Sequence, residues 1–162
     1  MSEMSRDTAG AIVPPPLIPA SVLMVGLALS FLIPLRLLRH IPLIVKVLFG
    51  TINFVVGAVM VIDANHVYRR MGTPAAPSQP TLALATTGAF KWTRNPMYVG
   101  GCLALAAIAI GFALDWVLVF LILSLPLVHY GMVLREEHYL ERRFGDEYRR
   151  YTQNVPRYGW RF

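Results

Sequence analysis

Two adjacent acids, Glu136 and Glu137, stand where a long apolar run gives way to charged residues. On a helix, residues three and four apart are neighbours, and neither acid has a Lys or Arg at those spacings. Glu137 even has Glu141 at i+4, which repels it mildly. Farther on, Arg142 can pair with Asp146 and Arg143 with Glu147, both at i,i+4. Val133, Glu137, Leu140 and Phe144 share one helical face, and Glu136 borders it. Carboxylates without local partners, beside an apolar face, attract a cation. That cation is either external, a sulfonium or an ammonium, or internal, from Lys91, Arg94 or a C-terminal arginine.

A second cluster, residues 86–98 (TTGAFKWTRNPMY), precedes another apolar run. Gly88 permits a turn. Pro96 suits the first turn of a helix and biases Asn95 away from it, which makes Asn95 a candidate N-cap. The free amides of such a helix start could hold an anionic group such as a carboxylate. The competing assignment is an ordinary belt of aromatic and basic residues at a membrane surface. Near the ends of two apolar runs lie His129 with Tyr130, and Asp63, Asn65 and His66. His129 and His66 are the candidate proton acceptors, because polar groups inside membrane segments often mark a site. The other assignment for His129 is a ring at the interface. His66, His129 and His138 share no common spacing and His40 stands apart, so no metal site is expected. The single cysteine, Cys102, excludes an intrachain disulfide and reads as a small apolar side chain.

The elements that must position these residues follow from composition. Of 162 residues, 56% are hydrophobic and only 15% charged, with a mean hydropathy of +0.52. A typical soluble domain carries about 25% charged residues. One small soluble core cannot hide so much apolar surface, so the expected fold is a single all-α membrane domain with the bilayer as its solvent. A bilayer core needs roughly 20 apolar residues of helix per crossing. Four spans are predicted, at 17–35, 43–62, 98–114 and 116–133. Lys46 sits close enough to the start of the second to snorkel toward headgroups. Asp115-Trp116 divides the last run into a helical hairpin, because Asp is costly at a bilayer centre and Trp prefers its surface. Gly100, Gly101, Ala104, Ala106, Ala107 and Gly111 give the first arm of that hairpin a small surface, which lets backbones approach. The start of the chain, with Glu3, Arg6 and Asp7 before Pro14-Pro15-Pro16, lacks the positive region of a signal peptide, and the first run reads as a retained helix. Residues 71–80 read as an irregular loop.

The net charge of +6 raises the question of nucleic acid, but no binding module is visible. Membrane topology accounts for the charge better. Arg6, Arg69, Arg70, Lys91, Arg94, Arg135, Arg142, Arg143, Arg149, Arg150, Arg157 and Arg161 would share one side of a four-span protein, against Arg36, Arg39 and Lys46 on the other. By the positive-inside rule both termini are cytoplasmic. The basic and aromatic tail would lie along the headgroups.

The segments at 84–98 and 135–158 resemble the paired motifs of isoprenylcysteine carboxyl methyltransferases and their bacterial relatives, with phospholipid methyltransferases as more distant kin. The resemblance rests on Leu84 to Phe90, on Arg94-Asn95-Pro96-Met97-Tyr98-Val99-Gly100, and on Arg135-Glu136-Glu137, Leu140, Phe144-Gly145, Tyr148, Tyr151 and Val155-Pro156-Arg157. It covers about residues 70–158. It implies S-adenosylmethionine bound at the cytoplasmic face, with Leu84, Ala85, Gly88, Phe90, Asn95, Pro96, Met97, Tyr98, Glu136 and Glu137 as cofactor contacts. Asn95 replaces a His common in the eukaryotic enzymes. An Arg that in those enzymes serves the prenylated substrate is replaced here by an apolar stretch near Met132, which argues against a prenylcysteine acceptor. The resemblance thus implies a methyltransferase of the bacterial inner membrane acting on an apolar or lipidic carboxylate, amine or thiol. The competing readings are a non-enzymatic membrane scaffold or binding subunit, and another lipid-modifying enzyme such as a reductase.

Overall fold

The computed structural model describes residues 16–72 and 81–159. Among these there is no β-strand. The helices are α1 (Leu17–Leu32), α2 (Leu43–Arg70), α3 (Pro96–Gly111), α4 (Asp115–Val128), α5 (Leu134–Phe144) and α6 (Asp146–Asn154). One wide π-helical turn, His129–Val133, joins α4 to α5 without a break, and Leu134 donates its N–H to the His129 carbonyl across it. Two 3-10 turns, Leu38–His40 and Gly88–Lys91, complete the set. Two helices are long and apolar enough to cross a membrane, α2 and the continuous Asp115–Phe144. The apolar helices α1 and α3 are shorter. Large apolar side chains such as Leu43, Ile52, Val59 and Leu123 stand more than half exposed, the pattern of a surface that meets lipid rather than water.

The expected boundaries need correction in three places. The first helix ends at Leu32, where Ile33 turns to φ −139° ahead of Pro34. The second runs two turns past residue 62, to Arg70. Asp63, Asn65 and His66 end the apolar run but not the helix, because each polar group is satisfied without breaking it. Asp63 accepts the Ala89 N–H, Asn65 donates back to the Val61 carbonyl at 2.8 Å, and His66 is exposed. The hairpin arms are α3 and α4, and the second arm gives way to the π turn at residue 129. The irregular loop expected at 71–80 lies, from residue 73 on, outside the described residues, as do Glu3, Arg6, Asp7, Pro14, Pro15 and Arg161.

Packing pairs α2 with α3 and α1 with α4, while α3 and α4 form the hairpin. The α2–α3 seam is built from missing side chains. A Cβ on Gly57 would sit 2.5 Å from the Gly100 carbonyl, and one on Gly100 would sit 2.6 Å from the Gly57 carbonyl. Seven residues earlier on α2, Gly50 faces Ala107 and Gly111, and seven later Ala64 is fully buried. Small residues thus let two backbones touch, which supplies close packing where lipid removes the hydrophobic drive between helices.

At one end of the bundle the loops are tied together. Asp115, buried at the start of α4, accepts the Leu38 N–H at 2.8 Å, and the Trp116 indole donates to the Ile33 carbonyl at 2.6 Å. The opposite end holds the start of α1, the end of α2, the 81–95 segment and helices α5 and α6. Both motif segments meet there.

Candidate functional site

The 81–95 segment is pinned to α2. Gly88 takes φ +59°, a left-handed conformation open to glycine, and a Cβ there would collide with the Asp63 carboxylate. Asp63 caps the following 3-10 turn through the Ala89 N–H. Phe90 is buried against Ala64, Val67 and Ala85, with its ring 5.2 Å from Tyr68. Asn95 does occupy the N-cap position of α3, with Pro96 in the first turn, but its side chain does not cap. The amide instead donates to the Arg157 carbonyl at 3.3 Å, drawn away by a tail sixty residues downstream.

Helices α5 and α6 fold back over this segment. Gly145, at φ +51°, ends α5 as the sequence predicts. The break in the helix there separates Arg142 from Asp146, and Asp146 pairs with Arg149 instead, which also holds Glu141. The tail does not simply lie flat. Tyr148, Tyr151 and Val155 are buried against Leu84, with Leu140 and Phe144 beside them, so the apolar face expected on α5 packs on the first motif. Burial pushes the Tyr148 and Tyr151 phenols above their ordinary pKa, so both stay protonated donors across the working pH range. Tyr151 donates to the Phe90 carbonyl at 2.7 Å.

The two acids part company. Glu137 is an intrachain ion-pair centre: Arg157 makes a two-pronged contact at 2.9 and 2.8 Å, and Arg94 approaches at 3.2 Å. The internal-cation assignment therefore holds for Glu137. Glu136 takes one hydrogen bond, from the Tyr98 hydroxyl at 3.2 Å, and forms no ion pair among the described residues.

Glu136 lies where two cavities meet. The larger, about 460 Å³, runs between α1, α3 and α4. Its far wall is apolar, with Ile18, Cys102, Leu105, Leu121, Val128 and Met132, and its near end carries Tyr68, Arg94, Asn95, Tyr98 and Glu136. The smaller, about 30 Å³, is lined by Leu84, Ala85, Phe90, Glu137, Tyr148 and others. Tyr68, Phe90, Arg94, Asn95 and Glu136 line both. Two buried donors in this region, Arg94 Nε and the Tyr148 hydroxyl, belong to side chains that lie beside each other, and neither atom makes a hydrogen bond of good geometry. The arrangement can therefore take up a ligand with one cationic and one anionic group beside a long apolar chain.

Of the expected contacts, Leu84, Ala85, Phe90, Asn95, Glu136 and Glu137 line the smaller cavity and Pro96, Met97 and Tyr98 the larger. Gly88 lines neither; it makes the turn that seats the segment on α2. The histidines stand apart from both cavities. His66 is exposed on α2, and His129 Nδ1 is 2.6 Å from the Tyr158 hydroxyl. Among the described residues no three His, Cys, Asp or Glu side chains are grouped to hold a metal. Sequence reasoning missed Tyr68, Tyr148 and Arg94 as cavity groups. An Arg and a Tyr inside otherwise matching motifs were the available signal.

A family model described as phospholipid methyltransferase matches residues 45–147. An uncharacterised protein of Haemophilus influenzae is 42% identical over 64 residues, which are 38% of this chain and 98% of that protein. No solved structure matches the chain.

Proposed function

The chain belongs to the phospholipid methyltransferase family, and on that premise we propose that it transfers a methyl group from S-adenosylmethionine to an amphiphilic acceptor at the cytoplasmic face of the bacterial inner membrane. The observation that carries this reading is the junction of the two cavities at Glu136. One side of it is polar and reaches the cytoplasmic motif segments. The other is apolar and runs between helices. The smaller cavity, about 30 Å³, is only water-sized, so a polar donor takes the end of the larger one beside Tyr68, Arg94, Asn95 and Glu136, and a lipidic acceptor takes its apolar end.

The residues at the junction fit the donor. Its ammonium and sulfonium are cations, and Glu136, whose pKa burial raises, is a carboxyl group in a largely apolar cavity without an ion-pair partner, so a cation beside it favours its charged form. Its carboxylate needs donors, and Arg94 Nε and the Tyr148 hydroxyl are buried side by side without a well-formed hydrogen bond to an acceptor. S-adenosylmethionine supplies an activated methyl carbon on a sulfonium, so the protein's share of the chemistry is to orient two partners and keep water out. Glu136, held by Tyr98, fixes the cationic end. Phe90 and Tyr68 wall the junction with aromatic surface, to which a cation is attracted. The acceptor's apolar part takes the wall formed by Ile18, Leu105, Leu121 and Met132. A carboxylate or thiolate acceptor attacks as it arrives, while an amine must first lose a proton. Four crossings with both termini cytoplasmic agree with the tied loops 33–42 and 112–114 at one end and the motif segments at the other.

The direct test is calorimetry of detergent-purified protein with S-adenosylmethionine and S-adenosylhomocysteine. Both should bind, and turnover should rise with the chain length of acceptors that share one reactive head. Equal turnover on short water-soluble acceptors would reject the apolar route. Reporter fusions after Arg39 and Phe162 should report opposite sides of the membrane.

A further inference from the structure

The last described turn of the chain, residues 155–158, lies beyond the stretch that matches the family. It nevertheless ties the two motifs together. The Arg157 carbonyl accepts from Thr93 Oγ1 at 2.7 Å and from the Asn95 amide at 3.3 Å, both on the first motif. The Arg157 guanidinium grips both oxygens of Glu137, on the second. Next to it the Pro156 carbonyl accepts the Arg94 N–H at 3.0 Å, and the Tyr158 hydroxyl meets His129 Nδ1. Thr93 is almost wholly buried and also accepts the Asn95 N–H, so the grip is part of the packed structure rather than a surface contact.

The charges explain what this grip does. Glu137 is shared by two guanidinium groups, and Arg157 takes the two-pronged geometry that an Arg fork and a carboxylate favour. Arg94 is left with a single NH1 contact to Glu137 at 3.2 Å, with Tyr148 beside its guanidinium and an Nε that makes no hydrogen bond of good geometry. Were Arg157 absent, nothing would compete with Arg94 for Glu137, and Arg94 would swing to claim both oxygens. Its uncommitted N–H would then turn away from the cavity junction.

We propose that Arg157 is a positioning residue which, by occupying Glu137, holds Arg94 at the cavity junction to receive the carboxylate of the methyl donor. The proposal rests on the donor reading given above. It predicts an effect confined to one end of the ligand, which a merely structural role would not produce.

The test compares two ligands by calorimetry, S-adenosylhomocysteine, which carries the carboxylate, and decarboxylated S-adenosylmethionine, which lacks it. Arg157→Gln should weaken the first about ten- to a hundred-fold, the range for loss of a charged hydrogen bond, and change the second by less than about twofold. Arg157→Lys keeps the charge and the backbone contacts but loses the fork. It should show the same selective loss in smaller measure, and it guards against a folding failure of the first variant. In the Glu137→Gln background, Arg157→Gln should add no further loss, because a residue acting through another is not additive with it. Equal weakening of both ligands, or of neither, overturns the positioning role. Wild-type protein that binds neither ligand overturns instead the donor reading beneath it.

Discussion

Gly100 and Gly101 are neighbours on α3, and they do opposite things. Gly100 faces α2, where its missing Cβ lets the Gly57 carbonyl come within reach. Gly101 faces the large cavity, and a Cβ there would meet nothing within 4 Å. One face of the helix is closed down to backbone contact and the other is held open. The acids repeat the contrast: Glu137 is committed to two arginines, and Glu136, one residue away, lines the cavity with one hydrogen bond from Tyr98. Residue type does not separate the members of either pair; the groups packed against each one do.

The contrast is broken most severely at the closed face. Gly100→Leu places a side chain against backbone atoms that cannot yield, and should cost about 3 kcal/mol or more. Gly57→Val should do the same, and thermal unfolding in detergent would show both. The acids come next. Glu137→Gln leaves two guanidinium groups without their shared partner and should lower stability by about 2–3 kcal/mol. Glu136→Gln should leave unfolding nearly unchanged while weakening S-adenosylmethionine binding about ten-fold or more. If the two variants lose stability equally, the division of labour between the acids is wrong.

The open face gives a smaller effect. Gly101→Leu should change stability by less than about 1 kcal/mol, since it fills space and replaces a glycine within a helix. It should lower turnover on long-chain acceptors more than on short ones. A loss of stability matching that of Gly100→Leu would show that the cavity face is packed after all. The smallest effects are expected for Tyr148→Phe and His66→Ala. The Tyr148 hydroxyl makes only a poorly aligned approach to Arg94, so its removal should move stability by no more than about 0.5 kcal/mol, with the cost seen in donor affinity. His66 is exposed and away from both cavities, so its loss should leave turnover intact.

Much of this was legible in the sequence. Apolar runs located the helices, Asp115 marked the hairpin, and the lack of i±3 and i±4 partners singled out two acids. Local spacing could not see the partner of Glu137, because Arg157 lies twenty residues away and reaches it only through the turn at Gly145. Asn95 was placed at the right cap position, yet its side chain answers to the same distant tail. Helix α2 was cut short because Asp63, Asn65 and His66 look like an ending; only the Ala89 N–H, brought in from another segment, explains why Asp63 continues the helix. The seven-residue spacing of Gly50, Gly57 and Ala64 was present to be read and points straight at the α2–α3 seam. The π turn has no local signature beyond Pro126, whose missing N–H loosens the ladder just before it.

That turn sets the angular phase of the helix beyond it. Val128, Met132 and Glu136 all line the large cavity, although they are four residues apart on a helix of about 3.6 residues per turn. Over the eight residues from Val128 to Glu136, a straight α-helix overshoots two full revolutions by about 80°. Glu136 would then point off to the side of the apolar stripe. A π turn absorbs one additional residue and rotates the later residues back by about 100°, leaving Glu136 within roughly 20° of Val128. The turn works as an angular shim: the carboxylate faces the cavity because the helix is locally overfilled, and a helix wound without that surplus would carry the same acid about 1.5 Å farther along its axis and aimed elsewhere.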